Sequence, residues 1–280
     1  MTTDQLYANI QAKRSMLCVG LDTDFNKIPE HLKKLALGGE TAIKGELYKG
    51  NVRSIIAFNK AIIDATAPFC VAYKPNLAFY ECLGTDGLRA LDVTVDYIRS
   101  KYPDMFLIAD AKRGDIGNTA KMYAKSYFET MDFDALTISP YMGSETVTPF
   151  LEYPGKFAIV VALSSNGTSS DFQLAEKDGK PLYQVVMEKM MSISTPENMM
   201  FVVGATKADK LAEIRQFCPD NFFLVPGVGA QGGSAEEVIA NGSNSKGGLL
   251  INSSRGIIYA SSGEDFAEAA GKAAESTARI

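Results

Sequence analysis

A chain of 280 residues, 46% apolar and 22% charged, has the composition of a water-soluble protein with a substantial core, and its length suits one large α/β barrel as well as two small domains. The formal net charge of −5 argues against a general nucleic-acid surface. No N-terminal apolar run has the form of a signal peptide, and none approaches the ~18 residues of a membrane span, so a cytoplasmic protein without membrane or nucleic-acid partners is expected.

Eight short apolar runs recur in chain order: Met16–Leu21, Phe69–Tyr73, Met105–Ala109, Ala135–Ile138, Phe157–Leu163, Met199–Val203, Phe222–Val225 and Gly248–Ile251. Uninterrupted Val, Ile and Leu runs are the mark of parallel strands covered on both faces. Helix-compatible segments lie between most of them: Asp86–Lys101, Thr119–Met131, Leu182–Met191, Ala208–Phe217 and Ala235–Ala240. Strand and helix alternating eight times predicts a single (β/α)8 TIM barrel over residues 1–280, ahead of the open doubly wound sheet, because the count permits closure. Two polar, Gly-bearing inserts, Lys27–Gly50 and Asn166–Lys180, are expected outside the barrel.

The single histidine, His31, sits in the polar stretch Pro29-Glu30-His31-Leu32-Lys33 and is read as a surface residue. Histidine-based zinc sites and Ser-His-Asp or Cys-His nucleophiles therefore have almost no material. The four cysteines, Cys18, Cys70, Cys82 and Cys218, contain no CxxC pair; Cys18 and Cys70 lie in apolar runs and read as buried thiols. Acid–base chemistry is left to Lys, Asp or Glu.

A barrel concentrates its chemistry at the C-terminal ends of its strands. The polar residues there are Asp22 and Asp24 after the first run, Lys74 and Asn76 after the second, and Asp110 and Lys112 after the third. Ser139 follows the fourth, Ser164 to Asn166 the fifth, Thr206 the sixth, Gln231 the seventh and Asn252 to Arg255 the eighth. The densest stretch is Asp110-Ala111-Lys112-Arg113-Gly114-Asp115. On a strand Asp110 and Lys112 share a face, and Asp115 follows in the turn. So much charge at the exit of an apolar strand is costly unless it is used, which makes this the candidate active centre. Cys and His are absent from the set, so a soft metal is not expected.

Pro226-Gly227-Val228-Gly229-Ala230-Gln231-Gly232-Gly233 contains a literal G-x-G-x-x-G between a strand and a helix. A dinucleotide site is disfavoured because this is the seventh strand and no acid ends the next one. Barrel loops after strands 7 and 8 commonly hold phosphate, and Arg255 offers a bidentate guanidinium for it. A phosphorylated small substrate is expected.

In this order, CVGLDTD, AYKPN, DAKRGDIG, TISPYMG and PGVGAQGG resemble the longer bacterial branch (type 2) of the orotidine 5′-phosphate decarboxylase family, over essentially the whole chain. The resemblance implies conversion of orotidine 5′-phosphate to uridine 5′-phosphate and carbon dioxide, the last step of de novo UMP synthesis, with no cofactor and no metal. It implies that Lys112 protonates the C6 carbanion and that Asp110 crowds the substrate carboxylate. Asp115 would come from the neighbouring subunit of a homodimer, and Lys74 would anchor the charge network. Substrate binding would fall to Asp22 at the ribose, Ser165 at the pyrimidine edge, Gln231 and Arg255 at the phosphate, and also Ile116, Thr119 and Pro226.

The nearest rivals are magnesium-dependent sugar-phosphate enzymes of the same barrel group, such as 3-keto-L-gulonate 6-phosphate decarboxylase and hexulose phosphate synthase. They resemble this chain in the DxKxxD motif but carry a metal-serving acid where Lys74 stands, and an ammonium there would repel the ion. A Schiff-base aldolase and a catalytically silent barrel acting as a binding scaffold are more distant readings.

Overall fold

The computed structural model describes every residue except 35–40, 44–45, 49, 206–207, 229–233 and 279–280. Each of the eight apolar runs forms a strand: β1 (Leu17–Gly20), β2 (Ala72–Lys74), β3 (Phe106–Arg113), β4 (Ala135–Ile138), β5 (Phe157–Leu163), β6 (Met199–Val203), β7 (Phe223–Pro226) and β8 (Leu249–Ser253). They pair in parallel and close, β1 joining β8 through Leu17↔Ile251 and β2 through Cys18↔Ala72. The closed barrel is the expected one, and closure leaves no exposed sheet edge.

The two-residue alternation of each strand divides the core in two. Cys18, Ala72, Phe106, Ile108, Ala135, Phe157, Ile159 and Leu250 point inward to one cluster, while Leu17, Val19, Leu107, Ala109, Ala158 and Val160 face the helices. Inside, the Phe106 and Phe157 rings meet edge to face, 5.6 Å between centroids, an arrangement worth ~1 kcal/mol beyond its buried area.

Helices fill the connections at Asn51–Thr66, Gly84–Lys101, Gly117–Lys125, Leu182–Met191, Ala208–Phe217, Ala235–Gly242 and Phe266–Ala278. The segment expected as one helix over Thr119–Met131 instead changes pitch, from α to a π turn at Ser126–Thr130. An N-terminal helix, Thr3–Lys13, starts from a Thr2 capping box and sends buried Leu6 and Ile10 into the inner cluster. It plugs the N-terminal end of the barrel, so the inward-facing strand residues can meet a ligand only at the opposite end.

Both polar inserts carry small antiparallel hairpins separate from the barrel sheet, Thr41–Ile43 with Glu46–Tyr48 and Glu176–Lys177 with Lys180–Pro181. His31 departs from its surface reading: it is half-buried, its ring 5.8 Å from that of Phe266, because the short helix Glu30–Lys33 packs there. The four cysteines are free thiols, with Cys18, Cys70 and Cys218 buried and Cys82 exposed. Among the described residues no helix is long and apolar enough to cross a membrane.

Candidate active site

Following the inward alternation one step past the apolar layers gives the site. Ala72 is inward on β2, so Lys74 is too; Phe106 and Ile108 precede Asp110 on β3, Ala135 precedes Thr137 on β4, and Leu250 precedes Asn252 on β8. A polar layer thus caps the apolar one at the C-terminal mouth. There a cavity of about 210 Å³ is lined by Asp22, Lys74, Asn76, Asp110, Pro226, Gly227, Val228 and Asn252 to Arg255.

Asp110 is its hub. Lys74 Nζ donates to Asp110 Oδ2 at 2.9 Å and Lys112 Nζ donates to Asp110 Oδ1 at 2.6 Å. Burial alone would raise the Asp110 carboxyl, but the charges of Lys74 and Lys112 override it and hold the group far below the usual carboxylate range. Lys74 is itself buried, which works against its charge; Asp110 and then Asp22 outweigh that and hold its ammonium above the ordinary lysine value. The Asp22 carboxylate stands 3.9 Å from Lys74 Nζ.

Among the described residues, Asp22 Oδ1 and Asn252 Oδ1 are buried without a hydrogen-bond partner. Orphaned buried acceptors are rare in folded proteins, and two lining one cavity are places for donors on a bound molecule. The loop carrying Asp22 is rigidly held from behind. Tyr259 Oη donates to Asp22 O at 2.9 Å and accepts from Asp24 N at 2.7 Å, and Tyr80 Oη donates to Leu21 O at 2.9 Å. Gly20 lets the β8 loop close in: a Cβ there would lie 2.7 Å from Ser254 Cβ.

The structure therefore gathers Lys74, Asp110, Lys112, Asp22, Pro226 and Arg255 at one mouth. Pro226 lies in register with Asn252, and Arg255 is exposed at the rim of the cavity. Asp115, Ile116 and Thr119 sit apart from the cavity. Asp115 is half-buried in the turn after β3, accepting only from Ile116 N at 2.8 Å among the described residues, while Ile116 and Thr119 are exposed. Ser165, half-buried after β5, packs so tightly on the end of β6 that a Cβ on Gly204 would lie 2.6 Å from its backbone nitrogen. Ser139 lines a different, largely apolar cavity, with Tyr141, Phe172 and Tyr183. Gln231 and Thr206 lie outside the described residues.

One contributor was only partly legible in the sequence and another went unseen. Asn252 was legible only as one of several polar residues ending β8. Thr137 gave no signal, being one hydroxyl in the strand Ala135–Ile138, yet Thr137 Oγ1 donates to Asp110 Oδ1 at 3.0 Å. Asp110 and Lys112 are neighbours, as a shared strand face predicts, but not on a regular strand: β3 bulges between Ala109 and Arg113, and Lys112 has φ 46°.

The family model described as orotidine 5′-phosphate decarboxylase / HUMPS matches residues 15–270. The chain is 54% identical to orotidine 5′-phosphate decarboxylase of Phocaeicola vulgatus over 98% of its own length and 96% of that protein's. Its counterpart in Christiangramia forsetii is 53% identical over 98% and 95%. Among solved structures, OMP decarboxylase of Leishmania donovani superposes with a TM-score of 0.77 at 34% identity, covering 99% of this chain and 98% of that one. The Plasmodium berghei orotidine 5′-monophosphate decarboxylase gives 0.81 at 25% identity, covering 98% and 97%.

Proposed function

The chain belongs to the orotidine 5′-phosphate decarboxylase / HUMPS family, and from that premise we propose that it converts orotidine 5′-phosphate to uridine 5′-phosphate and carbon dioxide. The observation that carries the reading within the family is Lys74. A magnesium-dependent relative needs an acid at the end of β2; here a buried ammonium is paired to Asp110 at 2.9 Å and faces Asp22 at 3.9 Å, neutralising the carboxylates a cation would use. Among the described residues no three His, Cys, Asp or Glu side chains are grouped to hold a metal.

In the reaction the C6–carboxylate bond breaks, carbon dioxide departs and the electron pair stays on C6. The Lys112 ammonium then gives its proton to C6, and solvent reprotonates the amine. A fixed cation where negative charge develops lowers the barrier without solvent reorganisation. Asp110 sits between the two lysines, so a substrate carboxylate delivered beside it is repelled in the ground state and relieved as carbon dioxide leaves. The orphaned Asp22 oxygen suits a ribose hydroxyl and Arg255 suits the phosphate. Ser165 is assigned to the pyrimidine edge, Pro226 to the cavity wall and Gln231 to the phosphate, on the family resemblance.

Asp115 is assigned to the active site of a second subunit, with Ile116 beside it and Thr119 in the first turn of the helix Gly117–Lys125. Support comes from its separation from the cavity of its own chain and from large apolar side chains exposed nearby in sequence and at the next loops: Ile116, Met122, Tyr141, Met142 and Phe172. A homodimer would cover them. The deciding experiment mixes purified protein with orotidine 5′-phosphate in excess EDTA and follows the pyrimidine ultraviolet spectrum. Conversion in EDTA is expected; silence there, with turnover of sugar phosphates on adding magnesium, would move the chain to the metal-dependent branch.

A further inference from the structure

We propose that Thr137 is a positioning residue for the proton-donating lysine, a role that rests on the decarboxylase reading above. Thr137 is on β4, 1% exposed, and does not line the cavity. A hydroxyl has one hydrogen and two lone pairs, and here all three are engaged. The O–H donates to Asp110 Oδ1 at 3.0 Å, the nearer of two acceptors (Ala109 O lies at 3.5 Å), and the oxygen accepts from Ala111 N at 3.0 Å and Lys112 N at 2.9 Å.

Successive N–H groups of an extended strand point to opposite sides, so both can meet one acceptor only where the chain leaves the strand path. It does so here. Lys112 lies in the left-handed region at φ 46°, which a side chain with a Cβ enters at a cost, and the pairing of β3 with β4 slips between Ala109 and Arg113. The bulge closes on the Thr137 hydroxyl. Bulges beside active sites re-aim a side chain, and this one brings Lys112 Nζ to 2.6 Å from the same carboxylate oxygen that Thr137 holds. A single hydroxyl therefore fixes the backbone of the donor and the orientation of its carboxylate partner.

The outer side of the bulge is held separately. Arg113 Nη1 donates to Ala111 O at 3.3 Å, the guanidinium pairs with Glu81, and it lies 5.6 Å from the Tyr123 ring centroid and 5.8 Å from that of Tyr127. With that side intact, losing the hydroxyl loosens Lys112 without opening the cavity, so its effect belongs in kcat and not in KM.

The test compares Thr137→Val, which keeps the shape and removes the hydroxyl, with Thr137→Ser, which keeps the hydroxyl. Thr137→Val is expected to lower kcat roughly 100-fold, the scale of a misplaced reacting group, with KM within about twofold. Thr137→Ser is expected to keep kcat within about threefold of the unsubstituted enzyme. Failure of the unsubstituted protein to convert orotidine 5′-phosphate would overturn the decarboxylase reading itself. With that control active, the inference is overturned by an unchanged kcat in Thr137→Val, by equal losses in both variants, or by a loss residing in KM. If circular dichroism finds Thr137→Val unfolded, Thr137→Ala replaces it, and a kcat no lower than that of Thr137→Ser overturns the inference.

Discussion

Asp110 holds Lys112 by one carboxylate oxygen, at 2.6 Å, and leaves the other oxygen to Lys74 at 2.9 Å. The two lysines differ in what surrounds them: the Lys74 side chain is 4% exposed and that of Lys112 is 53% exposed. One ammonium is fixed structure and the other can reach a ligand. That division supports the proposed roles, Lys74 in the charge network and Lys112 as the proton donor.

Lys112→Ala removes the proposed donor and leaves the groups at the far side of the cavity untouched. General acids contribute about 10²–10⁴-fold, and in the proposed mechanism the same residue supplies the cation for the developing carbanion, so a loss of at least ~10⁴-fold in single-turnover decarboxylation is expected. Binding of uridine 5′-phosphate, measured by calorimetry, should stay within about tenfold. Substantial turnover in this variant would remove Lys112 as the donor.

Asp110→Asn should act on stability as well as rate. The folded carboxyl is depressed by Lys74 and Lys112 against the opposing effect of burial. Its contribution is therefore fully present above the unfolded value of about 3.9 and is lost as pH falls below that toward the depressed folded value. Asparagine leaves the Lys74 charge buried without its closest partner, a loss of about 3 kcal/mol at neutral pH. Lys74 is raised, so its own contribution persists until pH climbs past the ordinary lysine value of about 10.4 and through the folded one. Urea unfolding should show a constant gap between variant and parent from pH 5 to 8, narrowing below about pH 4. A gap flat to pH 3 would assign the stabilisation to something other than the carboxylate.

The barrel was legible because its strands are buried on both faces and so read as apolar runs; Ala135–Ile138, Phe157–Leu163 and Met199–Val203 match their runs residue for residue. The site was legible in large part because a barrel converts strand ends into one mouth, which brings Asp22, Lys74 and Asp110 together from positions far apart in sequence. Helices Thr3–Lys13 and Phe266–Ala278 were not anticipated. The former works by plugging the barrel, with Leu6 and Ile10 inward, a task that a two-residue apolar signal does not announce. Thr137 was unreadable for a similar reason: its hydroxyl matters only once closure sets β4 beside a bulge in β3, 25 and 26 residues upstream. A left-handed lysine leaves no mark in composition or periodicity.

Arg255→Ala should weaken binding more than chemistry. Arg255 is exposed at the rim, beside Pro226, Gly227 and Ser254, where a guanidinium can grip phosphate without touching the reacting carbon. A charged hydrogen bond of about 1.5–3 kcal/mol corresponds to a rise of roughly 10- to 100-fold in KM. Steady-state kinetics at saturating substrate should recover most of kcat. An unchanged KM would count against the phosphate role.

Asp115 gives the sharpest test of assembly, because within one chain its carboxylate does not line the cavity and accepts only from Ile116 N among the described residues. If each active site combines Lys112 of one subunit with Asp115 of the other, Asp115→Ala and Lys112→Ala homodimers are each defective at both sites. A mixed dimer then places both substitutions in one site and restores the other in full. Unfolding and refolding the two variants together makes half of the dimers mixed, each with one intact site, so about a quarter of the parental activity should return. Sites built within single chains would instead remain defective in every dimer, and the mixture would have no more activity than the average of its parents. Titrating the ratio of the two variants should give a maximum at equal amounts, which distinguishes shared sites from contamination by parental enzyme.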